Sequence, residues 1–121
     1  TEISRIIDQV QPSKRSNIGV CVDTAHIWGQ GDYDIRKISE IDRMFSDFDA
    51  VIGLDKFALL HLNDSEVPCG SKKDRHACLC TGHIWSEDSS SLVYLLDKCQ
   101  KHGIPMVLET DVSDMVTLAK L

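Results

Sequence analysis

Three apolar runs, each closing on a carboxylate or an imidazole, constrain this chain more than any other feature. They are GVCVDTAH (Gly19–His26), FALLHLND (Phe57–Asp64) and PMVLET (Pro105–Thr110). In each run the aliphatic residues come first and the polar residues last, as in a buried strand whose end reaches solvent. Stretches with helical spacing separate the runs. Strict alternation of strand and helix specifies a parallel sheet with helical crossovers. All strands of such a sheet end on one face, where α/β enzymes assemble their sites.

The helices read from their apolar stripes. Ile3, Ile6, Ile7 and Val10 form one face of a helix that stops before Pro12, and PSKRSN is a polar connector. WGQGDYD, after His26, reads as a glycine-containing loop. Ile35, Ile38, Ile41, Phe45, Phe48 and Ile52 make a long stripe, with Asp34 as the expected N-cap. From Ser65 to about Ser90 runs a loop of a length that usually carries function. Leu92, Leu95, Leu96 and Cys99 form the next helical face, which Gly103 stops, and Met115, Leu118 and Leu121 suggest a closing helix.

Three strands cannot close a barrel, and a complete eightfold β/α barrel takes roughly 250 residues. Residues 1–121 therefore read as the C-terminal portion, about three β/α units, of one eightfold β/α (TIM) barrel domain whose N-terminal part is missing. A start at Thr1, in mid-pattern, looks like a cut. A free-standing three-stranded α/β domain is the competing architecture, and it would leave sheet edges exposed.

Six residues in this pattern can ligate metal: Asp23, His26, His61, Asp74, His76 and Glu109. Singly each has a plainer reading. A strand-end Asp is often a helix cap, a lone His is more often a satisfied core residue, and a loop Asp-x-His usually means nothing. Together, three histidines and three carboxylates suit zinc, with manganese or iron as alternatives, better than calcium. Asn63 and Asp64 read as loop-forming residues or as groups that orient the ligands.

The net charge of −6 argues by itself against a nucleic-acid binder. Carboxylates that hold cations count as negative in that sum, however, and the basic cluster Lys72, Lys73 and Arg75 adjoins two candidate ligands. No apolar stretch reaches the length of a membrane span, and no charged-then-apolar stretch resembles a secretory signal. Five cysteines without framework spacing read as free thiols of an intracellular, reducing compartment, cytoplasm or nucleus. A bridge among Cys69, Cys78 and Cys80 is the alternative.

GVCVDTAHIWGQGDYDI, HLNDSEVPCGSKKDRHACLCTGHI and PMVLET resemble, in order and separation, the signatures of the endonuclease IV family of apurinic/apyrimidinic endonucleases. The resemblance runs over nearly the whole chain, and GS-x-x-DRH with the later Gly82 is its most specific part. It implies an eightfold barrel with up to three zinc ions, acting alone as a monomer. It also implies hydrolysis of the phosphodiester 5′ to abasic sites in double-stranded DNA. By position, His26, Asp74 and His76 look like one ion's ligands, and Asp23, His61 and Glu109 like a second's. Asp23 and Glu109 would then serve catalysis through the metal. Lys72, Lys73 and Arg75 look like phosphate contacts, and Trp28 and Tyr33 either line the DNA groove or, for Trp28, pack beneath the loop.

The chain departs from the family at several positions. Glu66 stands where a basic residue is usual and Cys80 where glycine is usual. Thr110-Asp111 replaces a common Thr-Pro, and His83 occupies a polar, non-ligand position. This drift suggests a divergent branch, such as a viral one. The competing enzyme is a mononuclear-metal sugar isomerase or epimerase of the xylose-isomerase-like barrels, which has no use for Asp74-x-His76. The competing non-enzyme is an inactive barrel fragment.

Overall fold

The computed structural model describes residues 2–121. Helix α1 (Glu2–Gln9) and a 3-10 segment (Pro12–Asn17) precede strand β1 (Val20–Asp23) and helix α2 (Thr24–Gln30). Helix α3 (Ile38–Val51), a 3-10 turn (Leu54–Lys56) and strand β2 (Phe57–His61) follow. The long connection contains the short strands β3 (Asp64–Ser65) and β4 (His76–Ala77). Helix α4 (Ser90–Lys101), strand β5 (Met106–Val107) and helix α5 (Ser113–Ala119) complete the order.

Strands β1, β2 and β5 form one parallel sheet in that order. The register pairs Asp23 with His61 and His61 with Val107. The alternation in the sequence thus yields adjacent strands whose polar ends lie level. The connection after β2 folds back as an antiparallel pair, with Asp64 opposite Ala77 and Ser65 opposite His76.

Helices α3 and α4 cover the sheet. Ile41, Met44 and Phe45 of α3 and Leu92, Leu95 and Cys99 of α4 are buried with Phe57, Leu60 and Leu62. The rings of Phe45 and Phe57 stack at 5.3 Å between centroids. Lys98 and Tyr94 of α4 both donate to the Asp42 carboxylate of α3, at 2.8 and 2.5 Å, and join the two helices at their exposed rim.

Some boundaries differ from the sequence expectations, each for a local reason. The first run stays extended only to Asp23, whose Oδ1 accepts the His26 N–H at 3.1 Å and starts α2, so the WGQ stretch is helical. Asp34 does not cap α3, which begins at Ile38. Its carboxylate instead takes the Arg36 guanidinium at 2.8 and 2.9 Å, and its carbonyl accepts the Lys37 N–H at 3.0 Å, which holds the turn before the helix. PSKRSN is a 3-10 segment whose Arg15 donates to the carbonyls of Asp8 and Val10 at 2.7 and 3.0 Å, serving the open end of α1. Gly103 follows α4 at φ 66°, as its expected role requires. Leu121 falls outside α5.

Both outer strands, β1 and β5, have one unpaired edge among the described residues. Ile6 of α1 and Met115 and Val116 of α5 are more than half exposed, at 63, 63 and 57%. Unpaired edges together with exposed apolar side chains are what a segment of a larger barrel presents. No described helix is long and apolar enough to cross a membrane, and all five cysteines are free.

Candidate metal centre

The register of β1 and β2 sets Asp23 beside His61, with their side chains 3.8 Å apart. Glu109 follows β5 and approaches His61 to 3.2 Å. The antiparallel pair then carries His76 back over the strand ends. Its Nε2 lies 3.4 Å from Asp23 and 3.3 Å from Asp74, and its Nδ1 lies 3.6 Å from Glu109. Five of the six candidate ligands are thus linked by ion-pair distances into one set. Asp23, His76 and Glu109 each offer a ligand atom within 4.8 Å of the others.

The sixth candidate, His26, stands apart. Its backbone N–H is held by Asp23, but its side chain is exposed, and no ion pair joins it to the set among the described residues. His83 is also exposed and lies in a groove with Glu66, Glu87 and Asp88. Lys72, Lys73 and Arg75 are exposed on the loop that leads into β4.

Two observations test whether these side chains suit a metal. His76 Nε2 is buried without a hydrogen-bond partner, although two carboxylates stand within ion-pair distance. A buried, unsatisfied imidazole nitrogen is costly, and a cation would satisfy it. The donor set also mixes imidazole nitrogen with carboxylate oxygen, the chemistry of zinc, manganese and iron sites. The residues fit.

The protein environment treats the two central carboxylates differently. Burial pushes Asp23 above the usual carboxylate range, opposed by the hydrogen bond from His26 and by the nearby His76. Glu109 is held below its ordinary value, first by the hydrogen bond from Asn63 and then by His61 and His76.

The loop that delivers His76 is anchored at three places. Against α2, the Trp28 indole donates to the Val67 carbonyl at 2.7 Å, while Gly70 and Lys72 donate to the carbonyls of Trp28 and Gly29 at 2.9 and 2.8 Å. Trp28 is 1% exposed and so packs beneath the loop. A Cβ on Gly29 would lie 2.4 Å from the Lys73 carbonyl oxygen, so the close approach needs glycine there. The second anchor is Asp64, which is fully buried. Its Oδ1 accepts the N–H groups of Ser65 and Ile84 at 2.8 and 2.9 Å, and its Oδ2 those of Gly82 and Trp85 at 3.1 and 3.3 Å. Buried Asp114 adds a third tie, accepting the Leu79 N–H at 3.0 Å and the Thr110 hydroxyl.

Sequence reasoning did not single out Thr24, Gly29 or Asp114 as site-building residues. Asn63 and Asp64 carried a usable signal, since two polar residues close a strongly apolar run. Asp114 carried none, because an Asp in the first turn of a helix is ordinary.

Residues 1–114 match the family model described as "Xylose isomerase-like TIM barrel", and the chain belongs to that family. Among curated proteins, it is 40% identical over 113 residues to "Probable endonuclease 4" of Cenarchaeum symbiosum, covering 93% of this chain and 38% of that protein. It is 44% identical over 109 residues to the protein of the same name from Halorhodospira halophila, covering 90% of this chain and 35% of the relative. The crystal structure of endonuclease IV from Thermus thermophilus superposes with a TM-score of 0.75 at 27% identity, over 98% of this chain and 40% of that one. The resemblance to endonuclease IV read from the motifs therefore holds, as does the parallel β/α arrangement of part of a TIM barrel. The chain spans a little over a third of the length of these curated relatives.

Proposed function

We propose that the protein containing this chain is a metal-dependent endonuclease that hydrolyses the phosphodiester 5′ to abasic sites in double-stranded DNA. The observation that carries the reading is the convergence of Asp23, His61, Asp74, His76 and Glu109 at the ends of three parallel strands. The names of the relatives support DNA as the substrate class.

In this reading His26, Asp74 and His76 would hold one zinc ion, and Asp23, His61 and Glu109 would help to hold a second. The remaining metal ligands would come from strands outside residues 1–121, which would pair with the open edge of β1. Manganese or iron is the alternative occupant. When bound, divalent ions would supply a more acidic water as nucleophile and would neutralise charge on the attacked phosphate and the leaving oxygen.

This chain's own residues do the rest. Imidazoles and carboxylates from separate elements fix the geometry, and no covalent or redox step is required of them. Lys72, Lys73 and Arg75 approach backbone phosphates from the anchored loop. An abasic nucleotide has no base to unstack, so its extrusion into a pocket costs little and favours damaged DNA. Glu66 replaces one basic contact and weakens that part of the interface.

The test is nicking of a duplex carrying one abasic-site analogue, using the protein at its natural full length. The intact protein should leave a 3′-hydroxyl at the lesion, and His76→Ala should lower the rate by at least about 100-fold. Ketose isomerisation without nicking would transfer the site to the sugar-isomerase reading.

A further inference from the structure

We propose that Asn63 is a positioning residue that holds the Asp23 and Glu109 carboxylates in register for metal, an inference that rests on the metal-site reading above. Asp23 ends β1 and Glu109 follows β5, the two outer strands of the sheet. Asn63 follows the central strand β2 and lies between them. Its Nδ2 donates to Asp23 Oδ2 at 3.1 Å and to Glu109 Oε2 at 2.8 Å. An amide nitrogen has two hydrogens, and both are committed to carboxylates that would otherwise repel each other.

The amide is itself locked from behind. Thr24, 1% exposed, receives the Asn63 N–H at 2.8 Å and donates its hydroxyl to the Asn63 carbonyl at 2.6 Å. This reciprocal pair fixes the main chain at Asn63, and the short side chain leaves little freedom beyond it. The grip on the two carboxylates is thus transmitted from the first residue of α2.

The other half of the amide shows why the residue is there. Asn63 Oδ1 is buried without a hydrogen-bond partner. A buried acceptor left unpaired opposes folding, and an apolar side chain of the same shape would avoid the penalty. Stability alone does not account for an asparagine at this point; two carboxylates needing a shared donor do. Orienting partners of this kind typically change metal affinity by about 10–100-fold when removed.

The experiment compares wild-type protein at natural full length with Asn63→Leu, Asn63→Ser and Ser91→Ala. Ser91 accepts the Trp85 indole N–H at 2.9 Å in the core, so its loss removes a buried hydrogen bond that involves neither Asp23 nor Glu109 and leaves the Trp85 backbone N–H on Asp64. Zinc affinity is measured by competition with a chromophoric chelator, and cobalt(II) absorption reports ligand geometry. Both Asn63 variants should lose at least about tenfold in zinc affinity and shift the cobalt bands, whereas Ser91→Ala should do neither. The serine variant keeps the test open if the leucine variant does not fold. Zinc affinity within about twofold of wild type in a folded Asn63 variant, or an equal loss in Ser91→Ala, would overturn the proposal while leaving the metal reading intact. A wild-type protein that takes up no zinc or cobalt would overturn both.

Discussion

Gly82 donates its N–H to Asp64 Oδ2 at 3.1 Å, and a Cβ at Gly82 would lie 2.6 Å from Asp64 Oδ1 and 2.3 Å from the Ser65 carbonyl oxygen. Neither neighbour has room to yield, because Asp64 and Ser65 are buried and Asp64 is bonded on both oxygens. Gly82→Ala should therefore destabilise the protein by about 3 kcal/mol, the upper end of the range for overpacking. Urea denaturation checks this, and an unchanged midpoint would mean the loop shifts without cost.

Asp64→Asn keeps the shape of the clamp and removes half of its acceptors. One side-chain atom becomes an NH2 facing two backbone N–H groups, which lose their partner. Leaving buried donors unsatisfied costs about 1–3 kcal/mol each, so a loss of about 3 kcal/mol is expected from the urea midpoint. Because β4 carries His76 and hangs from this clamp, zinc affinity should fall with it.

Cys80 has φ 64°, the left-handed region that a side chain disfavours. The endonuclease IV resemblance puts glycine at this position. Cys80→Gly should relieve the strain and stabilise the protein by about 0.5–1 kcal/mol, net of the larger backbone entropy of glycine in the unfolded chain. A lower thermal midpoint in the variant would show that the thiol's packing outweighs the strain.

Asp34 is held below the usual carboxylate range, chiefly by its hydrogen bonds to the Arg36 guanidinium. A carboxylate with a depressed folded pKa stabilises above its unfolded value of about 3.9, and that contribution disappears as pH falls through the lower folded value. Asp34→Asn should thus cost on the order of 1 kcal/mol at pH 7, and the difference from wild type should shrink below about pH 4. Urea midpoints at several pH values decide it. A difference independent of pH would assign the role of Asp34 to shape and not charge.

The strand ends were the most legible part of the chain, because a polar residue closing an apolar run marks both the end of a strand and its exposed tip. Asp23, His61 and Glu109 were readable for that reason. His76 was legible only through the Asp74-x-His76 spacing and the family resemblance, since nothing local says that so long a connection contains a pair of short strands. Those strands are two residues each and depend on Asp64, Gly82 and Gly29, which act through contacts distant in sequence. The start of α3 was misplaced because Ile35 continues the helical stripe while Asp34 is engaged by Arg36. Packing reads the stripe correctly, and local hydrogen bonding sets where the helix begins.

If these strand ends bind metal, the protein at natural full length, purified without chelator, should carry it in elemental analysis. Two to three zinc ions, or manganese or iron in their place, are expected per chain, with His76→Ala losing at least one. Protein that carries no such metal, and takes up none on reconstitution, would contradict metal binding at these strand ends.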